Sequence, residues 1–188
     1  MNKRDMRRYI RSLHEGREAR DKQSALLCQH IIDDPAYIHA SVVGGYLPMD
    51  READVKPVLL DALARDKTLA LPLCGAAPQM TLRRVTSLDE LMPGAYGIPE
   101  PPREAPIIPA EMVELLLVPL EGIDAQGFRL GKGGGFYDCL LPHISGITMG
   151  CALSWQWTKR VPQDAWDVPL ACCADADGIH IFSNRNDA

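Results

Sequence analysis

The densest chemistry in the sequence lies in Arg129-Leu130-Gly131-Lys132-Gly133-Gly134-Gly135-Phe136-Tyr137-Asp138. Glycines at 131, 133, 134 and 135 let the backbone turn sharply and aim successive N–H groups into one concavity, which suits an anion. Arg129 and Lys132 add cationic donors for phosphate, and Asp138 adds a carboxylate able to hold Mg²⁺ against phosphate oxygens. Spacing excludes two common nucleotide loops. Gly127 lies too close to Gly131-Lys132 for G-x-x-x-x-G-K, and Gly133 rather than Ser or Thr follows the lysine. A dinucleotide G-x-G-x-x-G beginning at Gly131 fails at Phe136. On these residues alone, a phosphate cradle competes with a flexible glycine turn carrying a solvated lysine. Asp138 alone competes with an ordinary surface or helix-turn carboxylate.

The elements that must position this segment follow from hydrophobic periodicity. Glu114-Leu115-Leu116-Leu117-Val118-Pro119 is the most apolar run and predicts a central buried strand, with the glycine segment directly after it. A helix from Gly135 or Phe136 to Leu141 and a strand over 147–153 come next. That order puts the segment beyond the carboxyl end of a buried strand, where open α/β sheets bind ligands. Residues 2 to about 32 predict one or two amphipathic helices with a break near Gly16, ended by Asp34-Pro35. Strands are expected over 39–46, 68–72, 79–85 and 179–182, and a helix over 55–64. Residues 93–109 hold six prolines and predict a long ordered loop or crossover. Strands alternating with helices give an α/β layered fold with a largely parallel sheet.

Composition bounds the function. At 188 residues the chain fits one domain, or one domain with an appended element. No apolar run approaches the ~18 residues of a membrane span, and the charged N-terminus does not read as a secretory signal. A net charge of −5 argues against a general nucleic-acid binder. The balance is uneven, because eight of the 20 basic residues, Lys3, Arg4, Arg7, Arg8, Arg11, Arg17, Arg20 and Lys22, fall within the first 22 positions. A local cationic element on an acidic protein suits an anionic small molecule, although a solvated helix face has the same composition. Six cysteines without a C-x-x-C pair and five scattered histidines give no zinc or disulfide framework, so reduced thiols in the cytoplasm are expected.

The segment also carries a resemblance. Asp124-x-x-Gly127-x-Arg129-Leu130-Gly131-x-Gly133-Gly134-Gly135-Phe136-Tyr137-Asp138 resembles the signature of the 5-formyltetrahydrofolate cyclo-ligases, also called methenyltetrahydrofolate synthetases. Lys3-x-x-Met6-Arg7, Tyr46-Leu47-Pro48-Met49 with Glu52-x-Asp54, Tyr96-Gly97-Ile98-Pro99-Glu100-Pro101, Gln156 and Asp167-Val168-Pro169-Leu170 are similar to other family stretches, in the same order. Trp166, Ala171 and Cys172-Cys173-Ala174 depart from it, standing for a His, a second Asp and the usual start of a Thr-containing strand.

The resemblance implies a three-layer α/β/α fold related to sugar-phosphate isomerases and CoA transferases. It implies conversion of 5-formyltetrahydrofolate and ATP to 5,10-methenyltetrahydrofolate, ADP and phosphate with Mg²⁺. Carried over, ATP would be held by Lys3, Arg7 and residues 129–137 (Arg129, Leu130, Gly131, Lys132, Gly133, Gly134, Gly135, Phe136 and Tyr137). Leu47, Glu52 and residues 132–136 would border the folate, Asp138 and Asp167 would bind magnesium, and Arg129 and Lys132 would serve the chemistry. The partners implied are small molecules, with no nucleic acid or membrane and a monomer or small homo-oligomer. Two alternatives remain: a catalytically weak relative that binds nucleotide or folate as an accessory or sensor protein, and an isomerase or transferase relative sharing the fold alone.

Overall fold

In the N-terminal 40 residues, burial follows the helical period. The computed structural model of the protein describes residues 1–182. Helix α1 (Lys3–Ser12) is capped by Asn2, whose side chain accepts from the Asp5 N–H, and Gly16 precedes α2 (Arg17–Asp33) at φ +96°. The predicted break at Gly16 therefore separates two helices. Asp34-Pro35 ends α2 and also starts a further helix: the Asp34 carboxylate accepts from the Ala36 N–H and Pro35 opens α3 (Pro35–His39). Helix α4 (Lys56–Ala64) falls where the apolar period placed it.

Eight strands form the main sheet: β1 (Val42–Gly44), β2 (Thr68–Cys74), β3 (Met80–Val85), β6 (Ile107–Ile108), β7 (Leu115–Val118), β10 (Ile147–Cys151), β12 (Cys172–Asp175) and β13 (Gly178–Ile181). Their order is β13-β12-β10-β7-β1-β2-β3-β6. The inner five, from β12 to β2, are mutually parallel, and antiparallel strands flank them on both sides. The 93–109 stretch is ordered, running through the two-residue strands β4 (Met92–Pro93) and β5 (Pro99–Glu100), which pair antiparallel, and then β6.

Strand β7 shows why the sheet is covered on both faces. Leu115 and Leu117 pack with Leu27, Ile31, Val58 and Ala62 from α2 and α4, while Leu116 and Val118 pack with Leu120, Ile123, Leu140 and Leu141 on the other side. Alternate side chains thus enter different cores, so the strand reads as an unbroken apolar run. Each fully buried leucine contributes about 2 kcal/mol of hydrophobic stabilisation. The second outer layer combines the short helix α5 (Phe136–Leu140) with a small sheet of β8 (Gly122–Asp124), β9 (Arg129–Leu130) and β11 (Trp157–Thr158). The result is a three-layer α/β/α arrangement, with a β-hairpin inserted where the sequence predicted the glycine segment to leave β7 directly.

Candidate active site

The turn of that inserted hairpin is built by Asp124. Its carboxylate is fully buried and accepts from the N–H groups of Gln126, Phe128 and Val161 at 3.0, 3.1 and 2.8 Å. Gly127 completes the turn at φ +84°, where a Cβ would lie 2.8 Å from the Leu170 carbonyl oxygen. Strand β9 then delivers Arg129 and Leu130 into the interior and releases the chain at Gly131. Gly133 and Gly135 take φ values of +103° and +73°, a region that glycine enters without a Cβ penalty, and α5 begins at Phe136.

Helix α1 reaches this loop through one stripe of side chains. Met6 and Ile10 pack with Leu130 and Val161, so α1 lies on the small sheet. Lys3 stands three positions before Met6 and Arg7 three before Ile10, so both share the anchored face. Arg7 Nε donates to the Gly131 carbonyl at 2.6 Å, and its guanidinium lies 3.6 Å from where a Gly133 Cβ would be. Lys3 Nζ lies 2.8 Å from Asp164 Oδ2 and 2.6 Å from Asp167 Oδ2.

These residues line a cavity of about 570 Å³ beyond the carboxyl ends of the parallel strands, reached by Tyr46 and Leu47 after β1, Pro72 and Cys74 in β2, and Pro119 and Leu120 after β7. Lys3, Arg7, Leu47, Glu52, Arg129, Asp138, Asp167 and the 131–137 loop all face it, so of the sequence-predicted site residues only Leu130 does not. Leu130 is fully buried under α1 and anchors the loop from behind. The same cavity has an apolar part to its lining, with Leu71, Pro72, Met80, Ile98 and Pro99. Tyr96, exposed and at φ +58°, meets Phe136 edge-on at 6.0 Å between ring centroids.

The electrostatics are those of paired charges at a partly dry surface. Arg129 Nη2 lies 2.5 Å from Asp138 Oδ1, and its guanidinium sits 5.4 Å above the Tyr137 ring. Burial pulls the Arg129 pKa below its ordinary value while Asp138 opposes that fall. Its buried Nε has no hydrogen-bond partner among the described residues, an unsatisfied donor on a side chain that lines the cavity. Lys132 Nζ reaches Glu52 Oε1 at 2.9 Å, and Glu52 Oε2 accepts from the Met49 N–H at 2.8 Å. Burial, and after it the Glu52 charge, pushes the Tyr137 phenol well up, so it stays neutral.

The carboxylates fit a cation only with outside help. Asp138 gives Oδ1 to Arg129, and Asp167 gives Oδ2 to Lys3 and to the Asp164 N–H, which leaves one oxygen on each. No group of three or more His, Cys, Asp or Glu side chains able to hold a metal occurs among the described residues. One or two carboxylates completed by phosphate oxygens and water is a usual donor set for Mg²⁺. Despite the departures at Trp166 and Ala171, Asp167 is brought to the cavity, held by Lys3. Asp164 was missed; its signal was a second carboxylate three positions before Asp167. Glu100, within the Tyr96–Pro101 stretch, has no local feature that marks it for a role, yet it is buried and lines the cavity.

A cationic glycine loop at the strand ends of a largely parallel sheet, lining one cavity with a set of apolar side chains, defines a layered α/β protein with a cleft for an anionic, partly apolar small molecule. The profile of the 5-formyltetrahydrofolate cyclo-ligase family matches residues 2–174, and the chain belongs to that family. The Escherichia coli K12 5-formyltetrahydrofolate cyclo-ligase is 30% identical over 142 residues, which cover 72% of this chain and 78% of that protein. The Aquifex aeolicus 5,10-methenyltetrahydrofolate synthetase structure superposes with a TM-score of 0.87 at 31% identity, covering 98% of this chain and 94% of the other. A Mycoplasma pneumoniae 5,10-methenyltetrahydrofolate synthetase, at 18% identity and a TM-score of 0.75, shares the fold, with coverage of 94% and 99%.

Proposed function

We infer that this protein closes 5-formyltetrahydrofolate to 5,10-methenyltetrahydrofolate, using ATP and releasing ADP and phosphate. The observation that carries the reading is one cavity lined both by a cationic, glycine-built loop and by a set of apolar side chains. The accessory-protein alternative is not favoured, because residues from four separate sequence stretches converge on that cavity.

The chemistry sets what the residues must do. A formyl oxygen is a poor leaving group. Its attack on the γ-phosphorus of ATP expels ADP and leaves that oxygen phosphorylated. The folate N10 then adds to the formyl carbon and loses its proton, and phosphate departs with the C–O electron pair. Such transfer depends on alignment and charge neutralisation more than on a protein nucleophile. In this reading Lys3, Arg7 and residues 129–137 hold ATP, with Arg129 and Lys132 countering the charge that develops on the transferring phosphoryl group. Leu47, Glu52 and residues 132–136 border the folate. Asp138 and Asp167 would hold magnesium, which supplies further charge neutralisation on the phosphates. Tyr137, a neutral phenol, packs against the Arg129 guanidinium and keeps it aimed.

We place the activity in the cytoplasm, in one catalytic domain acting on small molecules; no helix among the described residues is long and apolar enough to cross a membrane. The test is to incubate the purified protein with 5-formyltetrahydrofolate and MgATP, with each component omitted in turn, and follow the methenyl chromophore. Product only in the complete mixture is expected. Binding without turnover would restore the accessory reading, and indifference to folate would remove both.

A further inference from the structure

Five carboxylates are buried among the described residues, and four of them have strong partners. Glu52 has Lys132, Glu121 has Arg11 on both oxygens, and Asp124 has three backbone N–H groups. Asp175 accepts from the Trp157 indole and two backbone N–H groups and lies beside His180. Glu100 differs. It is 9% exposed and makes no ion pair, and its one hydrogen bond is a long one, the Cys74 N–H donating to Oε1 at 3.3 Å. The Cys74 thiol beside it is pushed up to about 12, by burial first and then by Glu100, so it stays neutral and is at most a weak donor. A buried carboxylate with so little compensation is costly to the fold, and such a group facing a cavity marks a place where a ligand supplies the missing donors.

The backbone holds Glu100 rigidly. It pairs with Met92 in the β4–β5 ribbon, and its Cβ, Cγ and Cδ lie 2.4–2.7 Å from where a Gly94 Cβ would stand, so Gly94 leaves room for the side chain. Pro72, Met80, Ile98 and Pro99 line the same cavity as Glu100 and give it apolar surface suited to a flat ring. The folate ring system has a 2-amino-4-oxopyrimidine whose amino group and adjacent N3–H form a donor–donor edge. A carboxylate matches such an edge with two parallel hydrogen bonds.

We propose that Glu100 is a specificity-determining residue that receives the 2-amino and N3–H edge of the substrate's pterin ring, fixing which end of the folate enters the apolar part of the cavity. The proposal rests on the cyclo-ligase reading above. With the pterin seated there, its formyl-bearing edge is directed back toward the glycine loop.

The test compares wild type with Glu100→Gln, which keeps the shape and the acceptor for the Cys74 N–H but puts an NH₂ donor against a donor. Folate binding is titrated without ATP, and KM is measured for each substrate. Affinity and KM for 5-formyltetrahydrofolate should worsen by about ten- to hundredfold, the range for a charge-assisted pair. KM for ATP should stay within about twofold and thermal unfolding should be nearly unchanged. A 5-formyltetrahydrofolate analogue with methyl in place of the 2-amino group should bind wild type weakly, and Glu100→Gln should discriminate less between analogue and parent. Wild-type turnover with unaltered folate affinity in the variant would overturn the proposal alone. An equal fall for both substrates would make Glu100 structural and overturn it too. A wild-type protein that neither binds nor converts 5-formyltetrahydrofolate would sink the parent reading and this inference with it.

Discussion

Lys132 Nζ lies 2.9 Å from Glu52 Oε1, an ion pair that joins the glycine loop to the segment following β1 across the mouth of the cavity. Glu52 is buried and further fixed by the Met49 N–H, whereas the lysine is about one-third exposed. The ammonium is therefore a movable charge on an immobile carboxylate. An entering anionic ligand can share the lysine with Glu52, whereas losing the lysine altogether would leave a buried carboxylate with only the Met49 N–H.

Lys132→Ala should accordingly lower activity and stability by separate routes. We expect kcat/KM for ATP to fall by about ten- to hundredfold, equivalent to roughly 1.4–2.8 kcal/mol of lost transition-state stabilisation. Stability read from the denaturant midpoint should fall by about 1–3 kcal/mol, because Glu52 loses its buried partner. Unchanged steady-state kinetics would mean the lysine is only solvated.

Asp138→Asn should affect both. Arg129 is buried and Asp138 is its carboxylate partner, so removing the charge leaves a desolvated guanidinium without compensation, at a cost of about 1–3 kcal/mol. If Asp138 also holds magnesium, the Mg²⁺ concentration for half-maximal rate should rise by about tenfold at saturating ATP. A magnesium titration that superposes on wild type would remove Asp138 as a ligand while leaving its structural role to the unfolding data.

The N-terminal helix should loosen at high pH. Burial lowers the Lys3 pKa, but Asp164 and Asp167 together raise it further, so the folded-state value lies above the unfolded one of about 10.4. The stabilisation is fully present below that value and is lost as pH rises through the raised folded pKa. Lys3→Met should cost about 0.5–1 kcal/mol at pH 8, and its gap to wild type should close as pH rises through the raised folded-state pKa. Urea unfolding of both proteins across that window checks it; a gap independent of pH would assign the loss to packing.

Gly133→Ala tests the loop's shape. At φ +103° a Cβ is strained, and here it would also stand 3.6 Å from the Arg7 guanidinium. We expect about 1–2 kcal/mol of destabilisation and at least a tenfold rise in KM for ATP. Gly97→Ala, at φ +73° with open space around it, should show similar strain without the change in ATP use. Equal KM effects in both variants would point to general loosening.

The longer helices, the central strands and the chemistry of the glycine loop are legible in the sequence, because each is written locally. The unbroken apolar run of β7 reports burial on two faces, and the Lys3, Met6, Arg7, Ile10 stripe reports which side of α1 is anchored and which side reaches the loop. Gly133 and Gly135 take the positive φ that glycine enters freely, so the run of glycines already marks the turn. Asp34-Pro35 shows the limit of local reading: the same pair that stops one helix caps and opens the next, and neighbouring packing chooses between the two. Tertiary structure alone decided the partnerships. That Lys132 meets Glu52, Lys3 meets Asp164 and Asp167, and Arg129 closes on Asp138 depends on where β1, β7 and the inserted hairpin bring distant segments together. The hairpin of β8 and β9 was hidden for the same reason, since its two-residue strand at Arg129-Leu130 is too short for any period to show. Glu100 had no signal in its neighbourhood of prolines. Only the fold, by burying it on the cavity lining with a single long hydrogen bond, made its carboxylate conspicuous.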